Sequence, residues 1–244
     1  MRKRLVLILI VAVALPLFGG WGPERKTYTM ENPSPVVTFN SITDNPNYGD
    51  ERNFVSIKSA DNQNSGGWSD EIAIKKSGKY YLRIYIANSS ADNLYQIAKN
   101  TKIRFNIPDY ESNRIQIDGY IESDNSSPTM IYDQAVFKSD KKFRIEYIPG
   151  SAECTNNKFT DGIQLSDDIK NSNGVLVGYD QMNGDFPPGY KYDAIVIAEV
   201  NVIVEDQDPI PFAGLLGDLA VAVLLGTILV FIAIMLKKRR DLRK

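Results

Sequence analysis

Histidine is missing altogether from this 244-residue chain, and cysteine occurs once, at Cys154. The first absence excludes Ser–His and Cys–His catalysis, histidine-ligated zinc and histidine pH switches. The second excludes an internal disulfide, so an exported domain must draw its stability from its core. Cys154 lies too far from the N-terminus to be a lipid-attachment cysteine and reads as a half-buried thiol, an interchain bridge being the alternative. Cations are scarce in the middle of the chain. Of 28 Lys and Arg, three fall in residues 1–4 and six in residues 237–244, whereas only Asp218 and Asp241 of the 30 acids lie outside Pro23–Asp208. That stretch of about 186 residues carries 19 cations against 28 acids, a net of −9. A body this acidic repels phosphate backbones, which argues against nucleic-acid binding. Its length suffices for one domain with a proper core.

What the ends contain is topology. Arg2-Lys3-Arg4 precedes the apolar run Leu5 to Phe18, followed by Gly19, Gly20 and Gly22. A basic start before a short apolar run reads as a signal peptide over residues 1–22, with an uncleaved anchor as the alternative. At the other end, Leu219 to Leu236 has no charged residue, and Gly214–Gly217 extends its apolar character. Six cations follow within residues 237–244. Residues 215–236 are therefore predicted as a transmembrane helix and 237–244 as a cytoplasmic tail, by length and by the positive-inside rule. Residues 205–214 form a polar, proline-stopped stalk. Residues 23–204 become an extracellular domain of a single-pass cell-membrane protein, with the lipid bilayer as its first partner. The stretch Ile210-Pro211-Phe212-Ala213-Gly214 before the helix resembles a sortase wall-sorting signal. Ile210 and Ala213 depart from that pattern, and a retained membrane anchor is the preferred reading.

Within the domain, alternation dominates. Ile103, Phe105 and Ile107 share one face of their segment; Ile115, Ile117 and Ile121 share another; Phe143, Ile145 and Tyr147 a third. In Tyr190–Val204, Ala194, Val196, Ala198, Val200, Val202 and Val204 align, with Ile195 and Ile197 opposite. These are strand signatures. Further strands are predicted at 36–42, 54–59, 68–75, 80–88, 130–138 and 174–178, separated by turn-rich breakers. Short helical turns fit 93–99 or 165–170, and Asp109–Asn113 offers a faint division, one elaborated domain being preferred. About ten such strands, without a parallel-crossover pattern, predict an all-β, immunoglobulin-like β-sandwich plus the C-terminal transmembrane helix.

Gly78-Lys79-Tyr80-Tyr81-Leu82-Arg83-Ile84-Tyr85-Ile86-Ala87-Asn88, followed by Ile103–Pro108, resembles the bacterial surface "conserved repeat" domain. The match spans about 35 residues and lacks the aspartate usual at the end of that family's second strand. The resemblance implies an immunoglobulin-like fold on a cell surface and brings no catalytic residues.

Several local patterns raise chemistry. Asp44, Asn45, Asn47, Asp50 and Glu51 in one loop, and Asp180, Asn183 and Asp185 in another, supply oxygens of the kind calcium takes, but neither has EF-hand spacing. The competing reading, preferred here, is that Asp and Asn hydrogen-bond their own backbone in turns. Paired carboxylates suffice for glycoside hydrolysis, yet nothing selects a pair among so many acids. A Lys58–Asn201 isopeptide crosslink is conceivable from residue type alone. Tyr28, Tyr48, Trp68, Tyr110, Tyr120, Tyr132, Tyr179 and Tyr190 fall near predicted loops or strand ends, where aromatic rings serve either as contact residues for sugars and proteins or as rim packing. The sequence reading is thus a non-catalytic surface module that meets an envelope protein or glycan. It assigns no catalytic, cofactor-binding or metal residues. A wall-anchored form or a histidine-free glycan-binding or hydrolysing domain are the alternatives.

Overall fold

The computed structural model describes residues 20–205. The predicted stalk from residue 206 onward, the transmembrane helix at 215–236, the basic tail and residues 1–19 lie outside it. Among the described residues no helix is long and apolar enough to cross a membrane.

The described chain is mostly antiparallel β-sheet. Its ten strands are β1 (Val55–Ser59), β2 (Glu71–Ala73), β3 (Gly78–Ile86), β4 (Lys102–Asn106), β5 (Ser112–Glu122), β6 (Met130–Tyr147), β7 (Glu153–Asn156), β8 (Ile163–Gln164), β9 (Val175–Leu176) and β10 (Ala194–Val204). Hydrogen bonding runs in the order β1-β3-β10-β6-β5-β4-β9, with β2 parallel to β6 and β7 bridging β10 and β8. Short 3-10 turns occupy Asp92–Leu94, Asp167–Lys170 and Tyr190–Tyr192.

One strand joins two pairing systems. Met130–Lys138 of β6 pairs with β5, whereas Phe143–Tyr147 of the same strand pairs with β10. The switch falls where the β5–β6 register shifts between Ser112 and Arg114, beside the exposed Asp140, Lys141 and Lys142. Sequence periodicity reads residues 130–138 and 142–148 as separate strands; they are one, whose register with β5 shifts where its charged residues reach solvent.

The apolar stripes face one core. All six aligned residues of β10 from Ala194 to Val204 are buried, as are Ile115, Ile117, Ile121, Ile103 and Phe105. The small residues allow close approach. A Cβ on Gly119 of β5 would stand 2.5 Å from Val55 of β1 and 3.1 Å from Ile84 of β3, so β5 packs directly onto those strands. No side chain larger than hydrogen fits there without displacement.

Two expectations need correction, and a third concerns a lesser alternative. Residues 36–42 are not a strand. Val37, Phe39 and Ile42 are buried as the pattern requires, but Asn40 sits at φ 46. Its amide takes over the role of a strand neighbour, donating to Tyr85 O at 2.8 Å and accepting from Ala87 N at 2.9 Å. Asn tolerates this left-handed geometry better than most residues. Second, β7 and β8 have no counterpart among the expected strands, because strands of four and two residues carry too little alternation to detect. Third, the faint division at Asp109–Asn113 is only the lesser alternative to one domain; residues 107–111 link β4 to β5, which pair in register from Lys102↔Glu122 to Asn106↔Asp118.

At the N-terminal side, residues 20–22 belong to the fold. Gly22 and Tyr132 exchange both backbone hydrogen bonds, at 2.8 and 2.7 Å. Gly20 N donates to Gln134 Oε1, and Trp21 stacks under Arg52 and Arg25 at 4.3 and 5.3 Å. The expected signal boundary after residue 22 would cut through this pairing.

Candidate functional site

Where the loop 23–53 meets the end of β3, a cavity of about 330 Å³ opens, at the lower end of the range for small-ligand pockets. Met30, Ile42 and Ala87 give it apolar walls, and Glu31, Glu51 and Asp92 are its ionisable lining. Among the described residues, no Lys or Arg lines it.

Glu51 is the unusual member. It is 1% exposed, in a class of side chain almost never buried without partners. Asn45 Nδ2 donates to its Oε1 at 2.7 Å, and Ser89 Oγ to its Oε2 at 3.4 Å. Burial outweighs these bonds and pushes the carboxyl up to about 7, with Asp193 adding a smaller push. The network continues outward. Asn45 Nδ2 also donates to Tyr85 OH at 3.2 Å, and Tyr85 OH donates to Asp193 Oδ2 at 3.0 Å. Burial raises the Asp193 carboxyl too, partly offset by that bond. Tyr85 stacks on Tyr48 with centroids 3.9 Å apart, and Arg83 lies over both Tyr48 and Trp68.

The chain order explains the assembly. β3 ends at Ile86 and runs into the buried Asn88-Ser89-Ser90. Ser89 Oγ there receives Ser41 N at 2.9 Å. Arg25 reaches over the same loop, donating to Asn40 O at 2.8 Å and Ser41 Oγ at 3.2 Å. Gly189, at φ +96, closes the opposite wall. A Cβ there would collide with the Asp92 carboxylate, so the wall requires glycine.

Beside the mouth lies the segment 92–97. Tyr95 is 84% exposed at φ 51, a conformation rare for an aromatic residue and costly to hold. Leu94, Ile97 and Val36 are exposed as well, and Gln96 Nε2 bonds Pro35 O at 3.0 Å to tie the two loops together.

The sequence candidates fall as follows. The first acidic loop scatters: Asp44 accepts from Met30 N, Asn45 Oδ1 caps Asn47 N and Tyr48 N, Asp50 pairs with Arg52, and Glu51 turns inward. In the second, Asp180 pairs with Lys158, Asp185 with Lys99, and Asn183 caps Asp185 N. Among the described residues no three metal-ligand side chains cluster. Lys58 and Asn201 are not neighbours. Lys58 stands opposite Tyr81, while Asn201 stands opposite Lys79 on the far side of β3; the Lys58 amine bonds Asn64 O. Of the aromatic candidates, Tyr48 and Trp68 join the stack above, Tyr120 and Tyr132 lean together with Arg104 over Tyr120, and Tyr179 meets Tyr192 edge-on. Tyr28 lies under Lys26, and Tyr110 is exposed. Asn88 is buried, donating to Gln96 O and Phe186 O. Sequence reasoning missed the cavity and Tyr95. Compared with protein-family models, curated proteins and solved structures, the chain matches none.

Proposed function

We propose that the described domain is the immunoglobulin-like β-sandwich of a single-pass cell-surface protein, and that it is a non-catalytic interaction module whose ligand enters the Glu51 cavity. The sandwich reading is supported by the two pairing systems that share β6 and by the packing of Gly119 on Val55 and Ile84. Surface location is supported by the charge-free run Leu219–Leu236 with its basic tail, and by the short apolar run after Arg2-Lys3-Arg4. The resemblance of 78–108 to the bacterial surface "conserved repeat" domain points the same way.

The observation that carries the binding role is the cavity itself. It combines apolar walls with a buried carboxyl, the mixture that small-ligand sites use for affinity and orientation. The test uses the full chain and an Ala91→Trp variant that fills the cavity. Protease added to intact cells should degrade the domain while sparing the basic tail. Wild-type protein should retain an envelope component that the filled variant, with an unchanged melting temperature, does not. Retention by both would exclude the cavity as the binding site.

A further inference from the structure

Resting on that reading, we infer that the cavity takes the side-chain ammonium of a lysine in a partner protein, with the lysine's apolar neighbours held by Val36, Leu94, Tyr95 and Ile97. Three observations lead there. The cavity's ionisable lining consists of three acids, Glu31, Glu51 and Asp92, and its most buried member, Glu51, shares the lining with the apolar Met30, Ile42 and Ala87. A carboxylate has about four acceptor positions. The Asn45 and Ser89 side chains fill two of those on Glu51, with support from the Ile42 backbone, so acceptor capacity remains. A lysine suits this shape, because its methylene stem matches Met30, Ile42 and Ala87 while its compact head carries three donors.

The second observation is the exposed apolar rim. Asp92 and Asn93 line the cavity and lead directly into Leu94 and Tyr95. Gln96 ties this segment to Pro35, next to Val36. A free amine would have no use for these four exposed side chains; a peptide presenting a lysine between apolar residues covers them. Aromatic side chains of this kind are typical anchors at protein interfaces. The third is charge. The domain's net of −9 favours encounter with a basic partner.

Entry of an ammonium favours the ionised form of Glu51, which burial otherwise disfavours near neutrality. Binding therefore releases a proton, and affinity rises as pH passes upward through about 7. The other charged groups facing this carboxyl leave that sign intact. Glu31 and Asp92 line the cavity, Asp92 with Lys191 3.5 Å away, and Asp193 connects through Tyr85 and Asn45.

The experiment is calorimetric titration of the full chain in mild detergent with the peptide acetyl-Leu-Lys-Leu-amide. Controls are the same peptide with its lysine acetylated and N-acetyl-lysine methylamide. The lysine peptide should bind at least about tenfold more tightly than its acetylated form, a difference of about 1.4 kcal/mol. Glu51→Gln should remove that preference. Tyr95→Ala should weaken the peptide several-fold and leave the methylamide unchanged. If Glu51→Gln does not fold, Ala91→Trp, which leaves the Glu51 hydrogen bonds in place, should abolish binding instead. Equal affinity for lysine and acetyl-lysine peptides, or none for either, overturns the inference. In that event, retention of an envelope component by wild type but not by Ala91→Trp would leave the binding-module reading standing, and its absence would remove both.

Discussion

Asp133 offers the sharpest check on the energetics. It sits on β6 facing inward, 1% exposed. Its Oδ2 accepts Val55 N at 2.7 Å, while its Oδ1 has no hydrogen-bond partner among the described residues. Burial pushes the carboxyl up to about 7, against the pull of backbone amides and with a smaller push from Asp70. A carboxyl whose folded value lies above its unfolded value stabilises the fold while protonated. That contribution is complete below the unfolded value of about 4 and disappears as pH rises through about 7. Lifting the carboxyl from about 4 to about 7 corresponds to about 4 kcal/mol at most, because each tenfold change in proton affinity is worth about 1.4 kcal/mol. Asp133→Asn keeps the shape and an acceptor for Val55 N but cannot ionise. At about pH 8 the variant should be more stable than the wild type by about 2–4 kcal/mol, and at about pH 4 the two should coincide. Urea unfolding followed by the fluorescence of Trp21 and Trp68 measures the difference. A variant less stable than the wild type at both pH values would refute the reasoning, because Asp133 would then be contributing as an anion.

Other outcomes follow from single contacts. Gly189→Ala should cost about 1–3 kcal/mol and lower the melting temperature, since it combines a positive φ with collision against Asp92. A fragment starting at Pro23 should melt below one starting at Gly20, having lost the Gly22–Tyr132 pair and the Trp21 stacking, the latter worth about 1 kcal/mol. By the same argument, if the proposed signal peptide is removed, N-terminal sequencing of the processed protein should begin at Gly20 or earlier. Cys154 is fully buried, and burial pushes its thiol up to about 12. It should resist a thiol reagent in the native state and react on unfolding.

The parts of the fold legible in the sequence are those where a strand has one wet face and one dry face. β10 shows this best: each residue placed on its apolar face is buried. Residues 36–42 carry an equally apolar pattern but become a loop, because the Asn40 side chain substitutes for backbone pairing, a tertiary event without local trace. The site was legible only in fragments. Glu51 is one of several loop acids and amides read from the sequence as turn-capping residues, with calcium ligation as the alternative, and nothing nearby indicates that it turns inward to Asn45 and Ser89. Ser89 and Gly189 come from distant segments, and no period connects them. Tyr95 acquires its meaning from a backbone angle that residue type alone argues against.

The placement of β10 has a mechanical consequence. It is the last strand before Glu205, held by β3 across nine consecutive register pairs and by β6 and β7 on its other side. A tug along its axis at Glu205 strains those rungs together in shear, rather than tearing them open singly from one end. Force arriving at that point is therefore spread through the centre of the fold before any edge gives way.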